Sequence, residues 1–337
     1  MSTPLLSIII PIFNKGKYIE SCLKSIFEQS FQDFEVVIIN DGSTDDSDYI
    51  IRKMLEVEPR LKYYTFSNSG VSIARNRGIQ RALGDFLMFI DADDWIEKGY
   101  LERIMCKTQQ YDADVYIWGI TKETNDRLDI ILPNISGFVK SETFWNALVQ
   151  GQYLYREGLY GYVANKLIRR KLVEEHQLAF NQKLKKLEDF DFFLDYYNLI
   201  SNAYIFDESG YHYIQGTDNS SKFMVRKVDY LSILDIHLKC IRILAEKKCF
   251  NINNQYILGK VMMGLSVSAF QNLSPVRLPS ISYLLQEIDR RNIVNLFFKY
   301  KCKYALLKAM IIHKNKIGLL IYLKIWNIYL YIRRNFL

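Results

Sequence analysis

Residues 84–95 read GDFLMFIDADDW. Phe86–Ile90 is an apolar run without alternation, the pattern of a strand buried on both faces, and it stops abruptly at Asp91. Asp91, Asp93 and Asp94 place three carboxylates within four residues, which repel one another unless something cationic joins them. The segment therefore reads as an interior strand whose end carries concentrated negative charge. Taken alone, the triplet is read equally well as a solvated acidic turn before the helix expected near Trp95. The surroundings have to decide.

Upstream, Leu6–Phe13 is a second apolar run ending at Asn14, and Tyr18, Ile19, Cys22, Leu23, Ile26 and Phe27 follow at helical spacing. Phe34–Ile39 stops at Asn40-Asp41-Gly42, and Ser43-Thr44-Asp45-Asp46 is a helix-start signal. Leu61–Phe66 predicts a third strand, and Val71–Leu83 a helix closed by Gly84. This alternation predicts an α/β fold with a mostly parallel sheet and helices on both faces. Ligands of such sheets bind outside the carboxyl ends of the strands, so Asn14, Asp41-Gly42-Ser43 and Asp91–Asp94 should converge on one crevice. Downstream the pattern predicts a helix near Glu97–Gln109, a strand at Asp114–Ile120, and a loop-rich stretch to Ser141. A helical, aromatic region Glu142–Tyr197 and helices after Tyr230 complete the reading.

Composition narrows the class. At 337 residues and 49% hydrophobic, the chain is long enough for a large core or two domains. Cys22, Cys106, Cys240, Cys249 and Cys302 are odd in number and lack a Cys-x-x-Cys pair, against a disulfide framework or a zinc site, and so predict a reducing, cytoplasmic setting. The opening apolar run lacks a basic leader and a cleavage site and reads as a first strand. His176, His212, His237 and His313 show no ligand spacing and read as structural or surface residues.

Several residue types suit nucleotide and phosphate chemistry. Mg²⁺ or Mn²⁺ is the expected partner of the acidic turn, because hard cations take carboxylate, phosphate and water oxygens. Asp41 beside Gly42 would accept from a uracil N3–H or ribose hydroxyls, or else is an ordinary turn before a helix cap. Arg75 would bind phosphate or fix an Asp, or else lies on a solvated helix face. A metal-bound carboxylate is not free to remove a proton, so a base must lie elsewhere. Glu188-Asp189, among Leu187, Phe190, Phe193, Leu194 and Tyr197, supplies one, with Asp191 a third carboxylate nearby. The opposing reading is an acidic first helical turn.

Ser7–Asn14 (SIIIPIFN), Glu35–Ser47 (EVVIINDGSTDDS), Asn68–Gly78 (NSGVSIARNRG) and Gly84–Trp95, in this order and spacing, resemble family-2 glycosyltransferases of the GT-A fold. The likeness continues through Tyr162–Leu172 (YVANKLIRRKL) and Leu187–Phe193 (LEDFDFF), the latter without the Gly that often precedes Glu-Asp in relatives. The resemblance implies that Asp91-Ala92-Asp93 is the DxD element, with Asp93 the direct metal ligand, Asp91 facing donor ribose and phosphates, and Asp94 behind them. It implies that Pro11, Phe13 and Asn14 wall the nucleoside, that Asp41 and Gly42 contact uracil, and that Arg75 belongs to the donor site. Asp189 matches the general base of inverting members, with Glu188 as base or orienter. Tyr211-His212-Tyr213 and Asp218–Lys222 resemble the strand and loop after the base, with Ser221 and Lys222 as phosphate contacts.

The implied activity is inverting transfer of a hexose or N-acetylhexosamine from a UDP-sugar to a glycan or polyprenyl-diphosphate-linked acceptor in capsule, O-antigen or lipooligosaccharide assembly. The implied domains are 1–225, catalytic, with a donor half to about 110 and an acceptor half beyond it, and 226–337, helical and basic. Residues 290–337 carry eleven Lys/Arg and no Asp or Glu against a whole-chain +7, so the remainder bears −4. Ile317–Ile332 is apolar and aromatic but broken by Lys324, which suits an interfacial helix on the inner leaflet of the cytoplasmic membrane rather than a spanning one. A packed helical cap or a homo-oligomer contact is the other reading. No nucleic-acid module accompanies the charge. Two rival functions fit the residues less well. A sugar nucleotidyltransferase needs a Gly-rich basic loop where only Asn14-Lys15-Gly16-Lys17 stands, and a catalytically silent nucleotide-sugar-binding scaffold would not need Asp91, Asp93 and Asp189.

Overall fold

The computed structural model describes residues 3–124, 127–154, 158–215, 229–272, 277–291 and 305–324. The chain divides into two compact units, Met1–Asn219 and Ser220–Leu337. Ser221, Lys222 and the expected 225/226 boundary lie outside the described residues.

The first unit is built on an eight-stranded sheet. Its first half comprises β1 (Leu6–Ile12), β2 (Phe34–Asn40), β3 (Leu61–Thr65) and β4 (Phe86–Phe89), joined by α1 (Gly16–Phe27), α2 (Ser47–Leu55) and α3 (Val71–Ile79). β1 pairs in parallel with β2 and β4, and β2 with β3, giving the order β3-β2-β1-β4. All seven residues of β1 and of β2 are buried, as expected of strands covered on both faces. The helix read to Leu83 ends at Ile79; Gly84 then runs so close to β1 that a side-chain carbon there would meet Ser7 N at 2.6 Å.

Beyond β4 the architecture departs from the reading. After the short β5 (Trp95–Ile96) and α4 (Tyr100–Gln110), the span expected as one strand is split. β6 (Val115–Ile117) stays in the large sheet, while β7 (Ile120–Thr124) joins β5 in a second one. The stretch expected as loop contains β8 (Arg127–Ile131) and β9 (Gly137–Lys140). The region read as helical holds α5 (Ser141–Val149) and α6 (Arg170–Glu175), but also β10 (Lys166–Arg169), an antiparallel strand inserted between β4 and β6. β10 has the same length as β4, but its sequence KLIR carries a charge at each end and so lacks the unbroken apolar run that marks a buried strand. α7 (Glu188–Leu199), β11 (Asn202–Ile205) and β12 (Tyr211–Ile214) follow. The large sheet ends β10-β6-β11-β9, and the small one runs β5-β12-β7-β8.

In the second unit the described residues form α8 (Tyr230–Glu246), α9 (Ile252–Gln271), α10 (Leu278–Arg290) and α11 (Ala305–Ile312), with 316–324 also helical. Asp229 caps α8 by accepting from Leu231 N and Ser232 N. Arg291 forks onto Asp235 at 2.7 Å through two nitrogens and reaches Glu287 at 2.5 Å. Among the described residues no helix is long and apolar enough to cross a membrane. The apolar tail from 325 and Cys302 lie outside those residues.

Candidate active site

The ends of β1, β2 and β4 are stitched together by side chains. Asn14, in the left-handed region at φ 53°, accepts from Thr44 N at 2.7 Å and donates its own N–H to Ser43 Oγ at 3.0 Å. Lys15 N donates to Ser47 Oγ at 3.0 Å, and Gly16 N to Asp45 at 2.8 Å. Asp41 is 3% exposed and accepts from Ser69 N at 3.0 Å and Gly70 N at 2.7 Å. Gly42 follows at φ 83°, where a side chain would meet Asn68 N at 2.8 Å; only glycine allows the two turns this close.

The acidic turn is held from both sides. Tyr211 donates to Asp94 Oδ2 at 2.5 Å and accepts from Asp91 N at 3.2 Å, while Ile214 N donates to Asp94 Oδ1 at 2.9 Å. Asp94 is 2% exposed, and burial, reinforced by the charge of Asp91, pushes its carboxyl well above the usual range. It buckles the turn to β12. Asp93 keeps 29% of its side chain exposed and receives Lys15 Nζ at 2.5 Å. Asp91 keeps 32% exposed and pairs with Arg75 at 3.2 Å.

Arg75 lies on α3 with 5% of its side chain exposed. Its guanidinium also meets Asp189 at 2.5 Å and Glu188 at 3.8 Å, at the start of α7. Burial works against the Arg75 charge, and Asp189, Asp91 and Glu188 more than restore it. Burial pushes the Asp189 carboxyl up to about 7, against the opposing pull of Arg75. Leu187, the residue before α7, adopts φ 60°, the left-handed conformation that glycine takes without strain.

Asp91 and Asp189 line one cavity of about 160 Å³, together with Tyr162, Tyr211, Tyr213 and the aliphatic Ile120, Val163 and Ala164. Behind it, buried Lys166 donates to the carbonyls of Leu159 (3.2 Å) and Tyr162 and to Asn165 Oδ1 (2.5 Å). Burial drives this ammonium well below its usual pKa, against the attraction of Asp189.

Most of the residues picked from sequence therefore meet. Asn14 and the Asp41-Gly42 turn join at one lip, and Asp91, Arg75, Glu188 and Asp189 join at the cavity. Phe13 is 46% exposed beside Asn14. Pro11 and Ala92 are buried, as Asp41 is. Asp191 N bonds back to Leu187 O at 2.8 Å in the first helical turn. His212 stacks on Trp95 at 3.7 Å between Glu123 and Glu97, inside the small sheet. Sequence reasoning gave Lys15, Tyr211 and Lys166 no role in the site, although Tyr211 and Lys166 lie in segments that carry the resemblance and Lys15 follows Asn14.

The donor chemistry fits a divalent cation at the turn, since two part-exposed carboxylates stand there and one already holds an ammonium. Among the described residues no group of three or more His, Cys, Asp or Glu is arranged to hold a metal. A cation at Asp93 and Asp91 would complete its shell with phosphate and water oxygens.

The model of the family described as Glycosyl transferase family 2 matches residues 7–177. EpsH and EpsJ of Bacillus subtilis (strain 168), both named as glycosyltransferases, are similar. EpsH is 34% identical over 194 residues, 56% of this chain and 54% of that protein; EpsJ is 28% identical over 239 residues, 70% and 67%. The matched region thus spans about half the length of EpsH. Staphylococcus aureus TarS 1–349, solved in complex with UDP-GlcNAc, superposes with a TM-score of 0.67 at 19% identity, covering 94% of this chain and 89% of that one, and shows a shared GT-A fold.

Proposed function

Because the chain belongs to glycosyl transferase family 2, we propose that it is an inverting transferase that moves a hexosyl or N-acetylhexosaminyl group from a UDP-sugar to a glycan or polyprenyl-diphosphate-linked acceptor in surface-polysaccharide assembly. The observation that carries this reading is the Arg75 bridge: residues 114 apart in the chain, Arg75 and Asp189, meet at 2.5 Å and bring Asp91 to the same cavity. Such an arrangement has a phosphate side and a base side.

The Asn14 lip and the Asp41-Gly42 turn would take the nucleoside, and Phe13 would lie against it. Arg75, held by three carboxylates, aligns Asp91 and Asp189 about the glycosyl group. Asp189 removes the proton of the attacking acceptor hydroxyl; the new glycosidic bond forms as the anomeric C–O bond breaks and its electron pair leaves with UDP. A divalent cation bound at Asp93 and Asp91 would neutralise the charge gathering on that diphosphate. The aromatic and aliphatic cavity walls keep water from competing with the acceptor. UDP-GlcNAc bound to TarS, which shares the fold, supports a uridine nucleotide.

Asp189→Asn is the first test. It should keep UDP and Mn²⁺ binding in a thermal-shift assay yet lose transfer by about 10²- to 10⁴-fold. Transfer near the wild-type rate would sink the mechanism. Asp93→Ala should instead lose the Mn²⁺-dependent part of UDP binding.

A further inference from the structure

Asn76 follows Arg75 on α3, and its side chain grips one residue of a distant segment. Nδ2 donates to Phe180 O at 2.9 Å, and Oδ1 accepts from Phe180 N at 2.7 Å. An amide that both gives and receives at one residue fixes that backbone in two directions, as a neighbouring strand would. The Phe180 ring, 1% exposed, lies flat on Phe192 of α7 at 4.2 Å with an interplanar angle of 4°. It meets Phe89 of β4 edge-on at 5.5 Å, and the Arg75 guanidinium stands 5.4 Å from its centre. One ring therefore touches the helix that starts at Glu188-Asp189, the strand that leads to Asp91, and the arginine between the two carboxylates.

The geometry points to Asn76 as a positioning residue: by clasping Phe180 it sets the spacing of α7 from α3, and with it the alignment of Asp189 on Arg75 across the cavity. The inference rests on the reading of Asp189 as the base. Asn76 itself contacts neither Asp91 nor the nucleoside lip, so its effect belongs to the chemical step rather than to donor capture. A small misplacement of a base is enough to slow proton removal by an order of magnitude or more.

The test uses the full chain, with Asn76→Ala, Phe180→Leu, the double variant and Asp189→Asn measured side by side, after circular dichroism has established folding. Asn76→Ala should lower kcat at least tenfold while KM for the UDP-sugar and the affinity for UDP stay within about twofold. Phe180→Leu keeps the backbone clasp but removes the ring, and should lower kcat similarly. The double variant should be little worse than the more impaired single one, because both act through one contact. A folded Asn76→Ala enzyme with wild-type kcat, a loss confined to UDP affinity, or two losses that multiply would each overturn the inference. Should Asn76→Ala fail to fold, wild-type kcat in Phe180→Leu overturns it alone. Transfer retained by Asp189→Asn would instead overturn the assignment of the base.

Discussion

Asp189 and Asp93 are the same residue type in different surroundings, and their chemistry follows from that. With its carboxyl raised to about 7 by burial, Asp189 should impose an acid limb on the pH profile: kcat/KM rises with pH through about 7, and Asp189→Asn abolishes the limb along with the rate. The same shift has a consequence for stability. A carboxyl whose folded pKa lies above its unfolded value of about 3.9 holds a proton in the fold that the unfolded chain releases, so stability falls as pH rises from about 4 to about 7. Asp189→Asn should flatten the melting temperature across that window, and an unchanged slope would assign it to other groups. Asp93 sits under an ammonium and partly in water. Lys15→Met frees it, and because a part-exposed pair contributes only about 0.5–1 kcal/mol, the Mn²⁺ concentration for half-maximal UDP binding should fall about two- to fivefold. Weaker Mn²⁺ binding would mean that Lys15 assists the cation instead of competing with it.

At the scale of elements, α7 is entered through a strained residue. Leu187 holds φ 60° where relatives often place glycine, and a left-handed branched residue costs about 1–2 kcal/mol. Leu187→Gly should therefore raise stability by up to about 1 kcal/mol once the added freedom of the unfolded glycine is set against the relief. A melting point lowered by several degrees would show that the Leu187 side chain packs for more than its backbone costs. This element also shows how far sequence reached. Glu188-Asp189 and the apolar positions after it were legible, because a twelve-residue helix repeats its pattern. β10 was not, nor were β8 and β9: unlike the unbroken apolar run of β4, their segments RLDII, GFVK and KLIR mix charged and apolar residues, and whether Lys166 is solvated or buried depends on carbonyls that come from a separate turn. Asn40-Asp41-Gly42 is legible as a turn, whereas the partners of Asn40 and Asp41, namely Tyr63, Ser69 and Gly70, come from segments that no local pattern links to it.

For the whole molecule, the two units carry opposite electrostatic characters. The basic run 290–337 belongs to the second unit, and the acidic site to the first. The full chain should sediment with vesicles containing anionic lipid and release as salt is raised, whereas a chain ending at Asn219 should bind UDP but not vesicles. Equal sedimentation of both would remove the membrane role from the tail. Sequence alone determined the alternating strands and helices of the first ninety-odd residues, the crevice at their carboxyl ends, and the family. It could do so because buried strands, helix starts and acidic turns are local patterns. Only the tertiary structure decided that Arg75 joins Asp91 to Asp189, that Tyr211 buckles Asp94, that Pro11 and Ala92 lie beneath the surface, and that Asn76 reaches Phe180. Those are pairings between distant segments, and the pKa of a carboxylate or the exposure of a side chain is a property of the whole packed environment rather than of its neighbours in the chain.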